Sequence, residues 1–308
     1  MPEALSIDVR GMTKRFGRLT AVDHIDLQVR TGEICGFLGP NGSGKTTFIR
    51  MLCGLLHPDE GSGVCLGCDV ITDSEAIKRQ VGYMTQRFSF YEDLTIEENL
   101  DFVARMYGVK GRRQVVAESI AGLGLTGRKD QLAGQLSGGW KQRLALAACM
   151  IHQPKLLLLD EPTAGVDPKA RREFWDQIHQ LAARGLTFLI ATHYMDEAER
   201  CHRLAFIAGG KLLTHGTAAE VIRQAGLTTW AVAGPDLLNL AAQLRARPGI
   251  KQAVPFGALL HVSGDDSAAL TQAIAPFRAP PYTWSESESG LEDIFIHLMD
   301  RVPANFSP

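Results

Sequence analysis

A glycine-rich segment with a single lysine, GPNGSGKT at residues 39–46, has the residue types and spacing of a phosphate-binding loop. It stands between an apolar run, EICGFL, and a helical sequence, TTFIRMLCGL. Glycines let successive backbone N–H groups turn toward an anion, and the following helix directs its positive end to the same point. We expect this loop to hold the polyphosphate of a nucleotide through Gly39, Pro40, Asn41, Gly42, Ser43, Gly44, Lys45, Thr46 and Thr47.

Within the loop, Lys45 and Thr46 have separate predicted tasks. The Lys45 ammonium would contact the β- and γ-phosphates, and the Thr46 hydroxyl would bind Mg²⁺. A chance glycine-rich turn is the alternative interpretation. The order of strand, loop and helix argues against it, because the motif requires that context.

Two adjacent acids, Asp160 and Glu161, end the apolar sequence LLLLDE at residues 156–161. Ligands of open parallel sheets bind at the carboxyl ends of the strands, so Asp160 is placed to hold Mg²⁺ directly or through water. Glu161 would point in another direction and polarise an attacking water as a general base. A core strand that ends in acidic surface residues is the alternative, and the upstream phosphate loop argues against it.

A second anion-binding helix start is predicted in the sequence LSGGWKQR, which begins at residue 136. Ser137 is a good N-cap for the helix that follows, and Gly138 and Gly139 expose N–H groups at its positive end. One polypeptide therefore has two separate phosphate-binding helix starts.

Alternating strands and helices must position these residues. The pattern predicts strands at 155–160, 186–192 and 203–208 with helices at 138–151, 168–184 and 195–200, which indicates an α/β fold with a mostly parallel sheet. Two N-terminal strands, ALSIDVRGM and IDLQVRTG, are expected on either side of a turn, FGRLTAVDH. Residues 95–150 read as a helical insertion, with Thr95 and Glu98 forming a capping box.

The end of the chain reads as a separate small unit. From residue 227 the order is β-α-β-β-α-β, the ferredoxin-like pattern, followed by the helix GLEDIFIHLMDR. That helix would present one apolar face, made of Leu291, Ile294, Phe295, Leu298 and Met299. We therefore predict a nucleotide-binding domain at 1–225 and an accessory α+β domain at 226–308.

Taken together, these motifs resemble the nucleotide-binding subunits of ABC transporters over roughly residues 5–225. GPNGSGKT is similar to the family's Walker A loop, LLLLDE to its Walker B strand and LSGGW to its LSGGQ signature, with Trp140 where glutamine is commonest. Four further positions match family motifs in order: Phe16 in KRFG, Gln86 in GYMTQ, Asp167 in AGVDP and His193 in ATHYMDEAE. Taken singly, these four also fit a core aromatic, a loop amide, a helix N-cap and a strand-end histidine.

The resemblance implies a P-loop NTPase fold of the ABC cassette type, with a mixed core sheet, an antiparallel β subdomain and a helical subdomain. It implies ATP and Mg²⁺ as cofactors, with the metal held by Thr46, Gln86 and Asp160. Lys45, Glu161 and His193 would be catalytic, and Phe16 would stack on adenine. Ser137, Gly138, Gly139 and Asp167 would meet the nucleotide of a second ABC subunit in a head-to-tail pair.

Composition indicates which partners and which cellular location this predicted activity would have. The formal net charge of −2 gives no sign of a nucleic-acid partner. The six cysteines stand mostly in apolar runs, which is typical of buried, reduced thiols, and the lone pair Cys65 and Cys68 lacks the context of a metal site. No stretch is long and apolar enough for a membrane span or a signal peptide. We therefore expect a peripheral subunit on the cytoplasmic face of the inner membrane, acting with separate permease subunits.

The sequences THYMDEAE, AGVDP and LEDIF resemble the bacterial ABC-2 or drug-export-like branch. The sequence thus favours an exporter ATPase. Three alternatives stay open: the ATPase of an uptake system, a non-transport ABC ATPase that acts on ribosomes, and a module that binds ATP without hydrolysing it. Intact Glu161 and His193 argue against the last.

Overall fold

A computed structural model describes residues 4–300 of the chain. Their contacts form two compact units, the first running to Leu212 and the second beginning at Leu213. Each unit is described by itself below. The functional domain boundary that we predict after residue 225 stays a prediction.

Between residues 4 and 216 the structure has ten strands and seven α-helices. The strands are β1 (Leu5–Phe16), β2 (Leu19–Arg30), β3 (Ile34–Leu38), β4 (Glu60–Cys65), β5 (Cys68–Asp69), β6 (Val81–Met84), β7 (Leu156–Asp160), β8 (Thr187–Thr192), β9 (Arg203–Ala208) and β10 (Lys211–Gly216). The helices are α1 (Lys45–Leu52), α2 (Ser74–Lys78), α3 (Ile96–Met106), α4 (Arg112–Gly122), α5 (Gly138–Met150), α6 (Pro168–Ala183) and α7 (Met195–Ala198). The division between the two units falls inside β10.

The main sheet has the strand order β10-β9-β3-β8-β7-β6, and the pairs from β9 to β6 are parallel. Every residue of β3, β7 and β8 is buried, as expected for strands that are covered on both faces. Because these three strands run in the same direction, the loops that follow them meet at one sheet edge. The phosphate-loop lysine, the two acids and His193 lie at or just beyond these strand ends, so the parallel α/β core predicted from the sequence is confirmed.

A second sheet, with the order β2-β1-β4-β5, is antiparallel. The structure corrects the predicted long turn FGRLTAVDH: Phe16 pairs with Leu19, so β1 and β2 form a continuous hairpin around a two-residue turn. Gly17 has φ +59° there, a backbone conformation that glycine adopts without steric cost. The polar residues that suggested a loop are strand residues.

The helical insertion has its own apolar core. The predicted capping box is present: the Glu98 N–H donates to the Thr95 hydroxyl at 3.1 Å, and the Thr95 N–H donates to the Glu98 carboxylate at 2.8 Å. Helices α3, α4 and α5 bury a shared cluster that includes Leu100, Ile120 and Leu144. Trp140 packs against the edge of this cluster.

The second unit has strands β11 (Thr228–Ala233), β12 (Gln252–Phe256), β13 (Leu259–Gly264) and β14 (Thr283–Ser287), with helices α8 (Ala218–Ala225), α9 (Leu237–Arg245), α10 (Ser267–Ile274) and α11 (Leu291–Met299). The strands form one antiparallel sheet in the order β12-β13-β11-β14. The predicted β-α-β-β-α-β order, with this strand arrangement, gives the ferredoxin-like topology.

The last helix buries only part of its predicted apolar face, together with two polar side chains. Its buried side chains are Leu291, Asp293, Ile294 and His297, two of them polar. The Asp293 carboxylate accepts the Gly290 N–H at 2.8 Å and lies 3.3 Å from the ring of His261. Hydrogen bonding therefore replaces part of the apolar packing expected from the sequence pattern. Across residues 4–300, no helix combines the length and the apolar character that a membrane crossing requires.

Candidate active site

The phosphate loop connects β3 to α1 and is packed so closely that only glycine fits at two of its positions. A Cβ atom on Gly39 would overlap the carbonyl oxygen of Ile207, and one on Gly44 would overlap that of Ala21. Gly44 also has φ +104°, which other residues rarely adopt. Close packing and backbone conformation therefore require glycine at two of the positions that are predicted to surround an anion.

The loop holds Lys45 in a buried position. Its ammonium donates to the carbonyl oxygens of Gly39 at 2.7 Å and Pro40 at 3.0 Å. Burial lowers the pKa of Lys45, and the charges of Glu161 and Asp160 act in the opposite direction. The hydroxyl of Ser43 is also buried and has no hydrogen-bond partner among the described residues. Such a hydroxyl fits a loop that binds a polar ligand.

Asp160, at the end of β7, accepts a hydrogen bond from the Thr46 hydroxyl at 2.7 Å. Burial raises the pKa of its carboxyl group, against the effect of the Thr46 hydrogen bond. A hydroxyl and a carboxylate oxygen this close are the hard donors that Mg²⁺ takes in proteins, so the donor set fits the predicted metal. The amide nitrogen of Gln86, the third predicted ligand, donates a hydrogen bond to Glu161 at 3.0 Å.

Glu161 is the residue on which the site converges. It follows β7 with φ +49°, an uncommon backbone conformation for a glutamate, and its N–H donates to the Ala191 carbonyl at 2.9 Å. Its carboxylate accepts from Gln86 Nε2 at 3.0 Å and lies 3.8 Å from Lys45 Nζ. His193 Nδ1 lies 3.1 Å from Oε1, the carboxylate oxygen that also faces Lys45, without the alignment of a hydrogen bond.

The structure thus brings together the predicted residues Lys45, Thr46, Gln86, Asp160, Glu161 and His193. Phe16 lies at the end of β1 with half of its surface exposed (50%), a position from which an aromatic ring can stack on a base. Asn41 and Gly42 are exposed, and Thr47 is half-buried on α1.

In residues 4–300, no hydrogen bond or ion pair joins Ser137, Gly138 or Gly139 of the signature segment to the group around Glu161. Ser137 occupies the N-cap of α5, but its side chain makes no capping hydrogen bond, contrary to the expected cap. A Cβ on Gly139 would lie 2.7 Å from the Cβ of Ala170, so glycine lets α5 approach the start of α6. Asp167 caps α6 by accepting the N–H groups of Lys169 at 3.1 Å and Ala170 at 3.0 Å.

Comparison with known proteins identifies the family to which this chain is similar. The family model described as ABC transporter matches residues 22–164. The probable multidrug ABC transporter ATP-binding protein YbhF of Escherichia coli is 43% identical over 225 residues, which are 72% of this chain but only 39% of that protein. The Nod factor export ATP-binding protein I of Burkholderia orbicola is 36% identical over 304 residues, 96% of this chain and 97% of that protein. This chain belongs to the ABC transporter ATP-binding proteins.

Solved structures agree with this ABC cassette fold. A nucleotide-free ATP-binding cassette from an ABC transporter superposes with a TM-score of 0.64 at 26% identity, covering 71% of this chain and 94% of that one. CbiO1 of Clostridium perfringens, part of the ABC transporter complex cbiONQ, gives a TM-score of 0.64 at 25% identity over 73% and 95% of the two chains. The family resemblance and the fold class are confirmed.

Sequence reasoning missed one polar group of this ABC cassette. Glu197 is almost completely buried (1% exposed) and accepts a hydrogen bond from the hydroxyl of Thr163. Arg171, on α6, lies beside both Glu197 and Tyr194. These residues come from three separate stretches of the chain, so no spacing pattern could indicate their contact. The local sequence MDEA gave no signal, because Glu197 stands beside a second acid, Asp196, which is largely exposed.

Proposed function

We propose that this chain binds and hydrolyses ATP as the motor subunit of an ABC exporter, with the membrane-spanning permease on separate polypeptides. The observation that carries the proposal is the buried Glu161 carboxylate, held by Gln86, His193 and Lys45 beside the pair Thr46 and Asp160. A base, a phosphate-binding cation and metal-binding oxygens are thereby set at one sheet edge. Phosphoryl transfer requires mainly such positioning and charge stabilisation.

In this proposal the loop amides and Lys45 bind the β- and γ-phosphates. Phe16 stacks on the adenine, which its exposed ring at the end of β1 permits. Thr46, Asp160 and Gln86 would hold Mg²⁺, and the metal would neutralise charge on the phosphate oxygens. Since Gln86 also donates to Glu161, it is suited to sense the metal or the γ-phosphate and to relay this to the permease.

Hydrolysis would begin when Glu161 accepts a proton from the attacking water. The water oxygen bonds to the γ-phosphorus while the bond from that phosphorus to the bridging oxygen breaks, which leaves ADP and inorganic phosphate. His193 would contact the γ-phosphate and hold the water in line. A positioned general base contributes about 10²–10⁴-fold in rate.

The exposed start of α5 supports a two-subunit mechanism. Ser137, Gly138 and Gly139 would close on the ATP of a second ABC subunit, either a second copy of this chain or a close relative, together with Asp167 near the interface. ATP would hold the pair closed, and its hydrolysis would reopen it. This two-state cycle would drive the permease from the cytoplasmic face of the inner membrane.

Export is the direction that the relatives' names support, since they are described as multidrug and Nod factor export ATP-binding proteins. The substrate itself would be selected by the permease. An ATPase of an uptake system stays the alternative.

The test begins with co-expression of the chain with membrane proteins encoded beside it and isolation from membranes. We expect co-purification, ATP hydrolysis that rises more than linearly with subunit concentration, and ATP-dependent substrate movement out of cells or into inverted vesicles. Full activity in dilute, monomeric protein would contradict the two-subunit mechanism. ATP-dependent movement in the opposite direction would favour the uptake system.

A further inference from the structure

Arg171, one turn into α6, contacts the segment that follows β8 at three points. Its guanidinium carbon lies 4.5 Å from the ring centre of Tyr194. Its Nη1 lies 3.3 Å from the Asp196 carboxylate, and its Nε lies 3.9 Å from the Glu197 carboxylate. A planar guanidinium can stack on a ring and face carboxylates at the same time, which a lysine ammonium cannot.

The three contacts differ in strength. Asp196 is largely exposed, so its ion pair with Arg171 contributes little. Glu197 is buried, and its carboxylate also accepts from Thr163, whose own exposure is 1%. Loss of the arginine would leave the Glu197 charge buried with one partner fewer, which is the costly case for a buried ion.

These contacts lead directly to the catalytic group. The ring of Tyr194 lies 4.1 Å from that of His193, and His193 in turn faces the Glu161 carboxylate at 3.1 Å. Arg171 also lies one turn from the start of α6, which begins at the Asp167 cap. Thr163 lies on the turn between Glu161 and Asp167, so Glu197 ties that turn to the histidine segment.

We propose that Arg171 is a positioning residue that sets the place of His193 through Tyr194 and Glu197, and so links the start of α6 to the attacking water. The inference rests on the proposed roles of His193 and Glu161. A shift of α6 at the subunit interface would move the histidine segment with it, since both are held by one side chain. Arg171 thereby makes hydrolysis responsive to the partner subunit.

The experiment measures Mg-ATP hydrolysis by Arg171→Ala in two backgrounds, the natural sequence and His193→Ala, using single-turnover rates where turnover is slow. In the natural background we expect kcat to fall about tenfold, with KM for ATP within about twofold. In the His193→Ala background the same change should reduce the residual rate by less than about twofold, because the residue it positions is absent. Arg172→Ala, at the exposed neighbouring position on the same helix, is the matched control and should leave kcat unchanged.

The outcomes separate this inference from the proposed function. Wild-type turnover by His193→Ala would remove the role of His193 and this inference with it. If His193→Ala is impaired while Arg171→Ala is not, or if the two losses multiply, only the inference about Arg171 fails. Should Arg171→Ala prove insoluble, Arg171→Lys in the same two backgrounds applies the same test, with an expected loss of about threefold because the charge is kept and the stacking is lost.

Discussion

The ammonium of Lys45 lies 3.8 Å from the carboxylate of Glu161, and both side chains are almost entirely buried, with exposures of 5% and 7%. The lysine comes from the start of α1 and the glutamate from the end of β7. Their charges offset each other in a place where either alone would be costly to desolvate. The pair therefore joins the predicted phosphate-binding group to the predicted general base.

Replacing Glu161 with glutamine should stop turnover while ATP still binds. The amide keeps the size of the side chain but cannot accept the proton from water, so we expect kcat to fall by at least about 100-fold. Phosphate release and binding of a fluorescent ATP analogue measure the two effects separately. Glu118→Gln, an exposed change on α4, is the control. An undiminished rate in Glu161→Gln would refute the assignment of the base.

Lys45→Ala should weaken nucleotide binding. Charge-assisted hydrogen bonds contribute about 1.5–3 kcal/mol, so we expect the dissociation constant for Mg-ATP to rise about 10- to 100-fold. Isothermal titration calorimetry measures this affinity directly. Lys78→Ala, whose ammonium pairs with Glu75 on the exposed surface of α2, provides the comparison. Equal affinity in Lys45→Ala and the natural protein would count against the phosphate loop.

Trp140→Gln, which restores the residue commonest at this signature position, should cost stability more than activity. The guanidinium carbons of Arg128 and Arg143 lie 4.6 Å and 5.0 Å from the indole ring centre, and these contacts are lost with the ring. We expect a loss of about 2 kcal/mol in the free energy of unfolding, measured by denaturant titration. ATP hydrolysis should survive, because Ser137, Gly138 and Gly139 are unchanged.

Arg128→Ala is the matched comparison for Trp140→Gln. It removes one of the two cations and should cost about half as much stability. Complete loss of hydrolysis in a folded Trp140→Gln protein would show that the ring itself acts in the nucleotide site.

Three buried thiols should resist alkylation in the folded protein. Burial raises the pKa of Cys65 and Cys149 to about 12 and that of Cys53 to about 11. At pH 8 a group with pKa about 12 is thiolate in roughly one molecule in 10⁴, and the thiolate is the reactive form. We expect iodoacetamide to label all three only after unfolding, as measured by peptide mass spectrometry.

Cys68 gives the internal control, because its side chain is only half-buried. It should react faster than Cys65, although the two face each other across the β4–β5 hairpin. Labelling of Cys65 as fast as that of Cys68 in the folded protein would show that the hairpin opens readily. A disulfide between them would contradict the prediction of reduced structural thiols.

The fold was predictable where its signals are local. The β-α-β-β-α-β order after residue 227 and the capping box of Thr95 and Glu98 each depend on residues close in sequence. The hairpin at Gly17 was not recognised, because its strands carry polar residues that resemble a loop. The buried face of α11 was predicted only in part: Leu291 and Ile294 are buried as expected, but periodicity cannot show that Asp293 finds partners on β13 and at its own helix start.

By itself, the sequence determined which groups handle phosphate: the glycines before Lys45, the acids after four leucines, and a second helix start at Ser137. These are local patterns, in which a few neighbouring residues fix the backbone and the chemistry together. Only the tertiary structure decided that Glu161 turns in a left-handed conformation toward Gln86, a residue 75 positions away, and toward His193. It also decided that Arg171 contacts Tyr194, whose ring lies against that histidine. Such contacts depend on how distant strands align in one sheet, which no short stretch of sequence records.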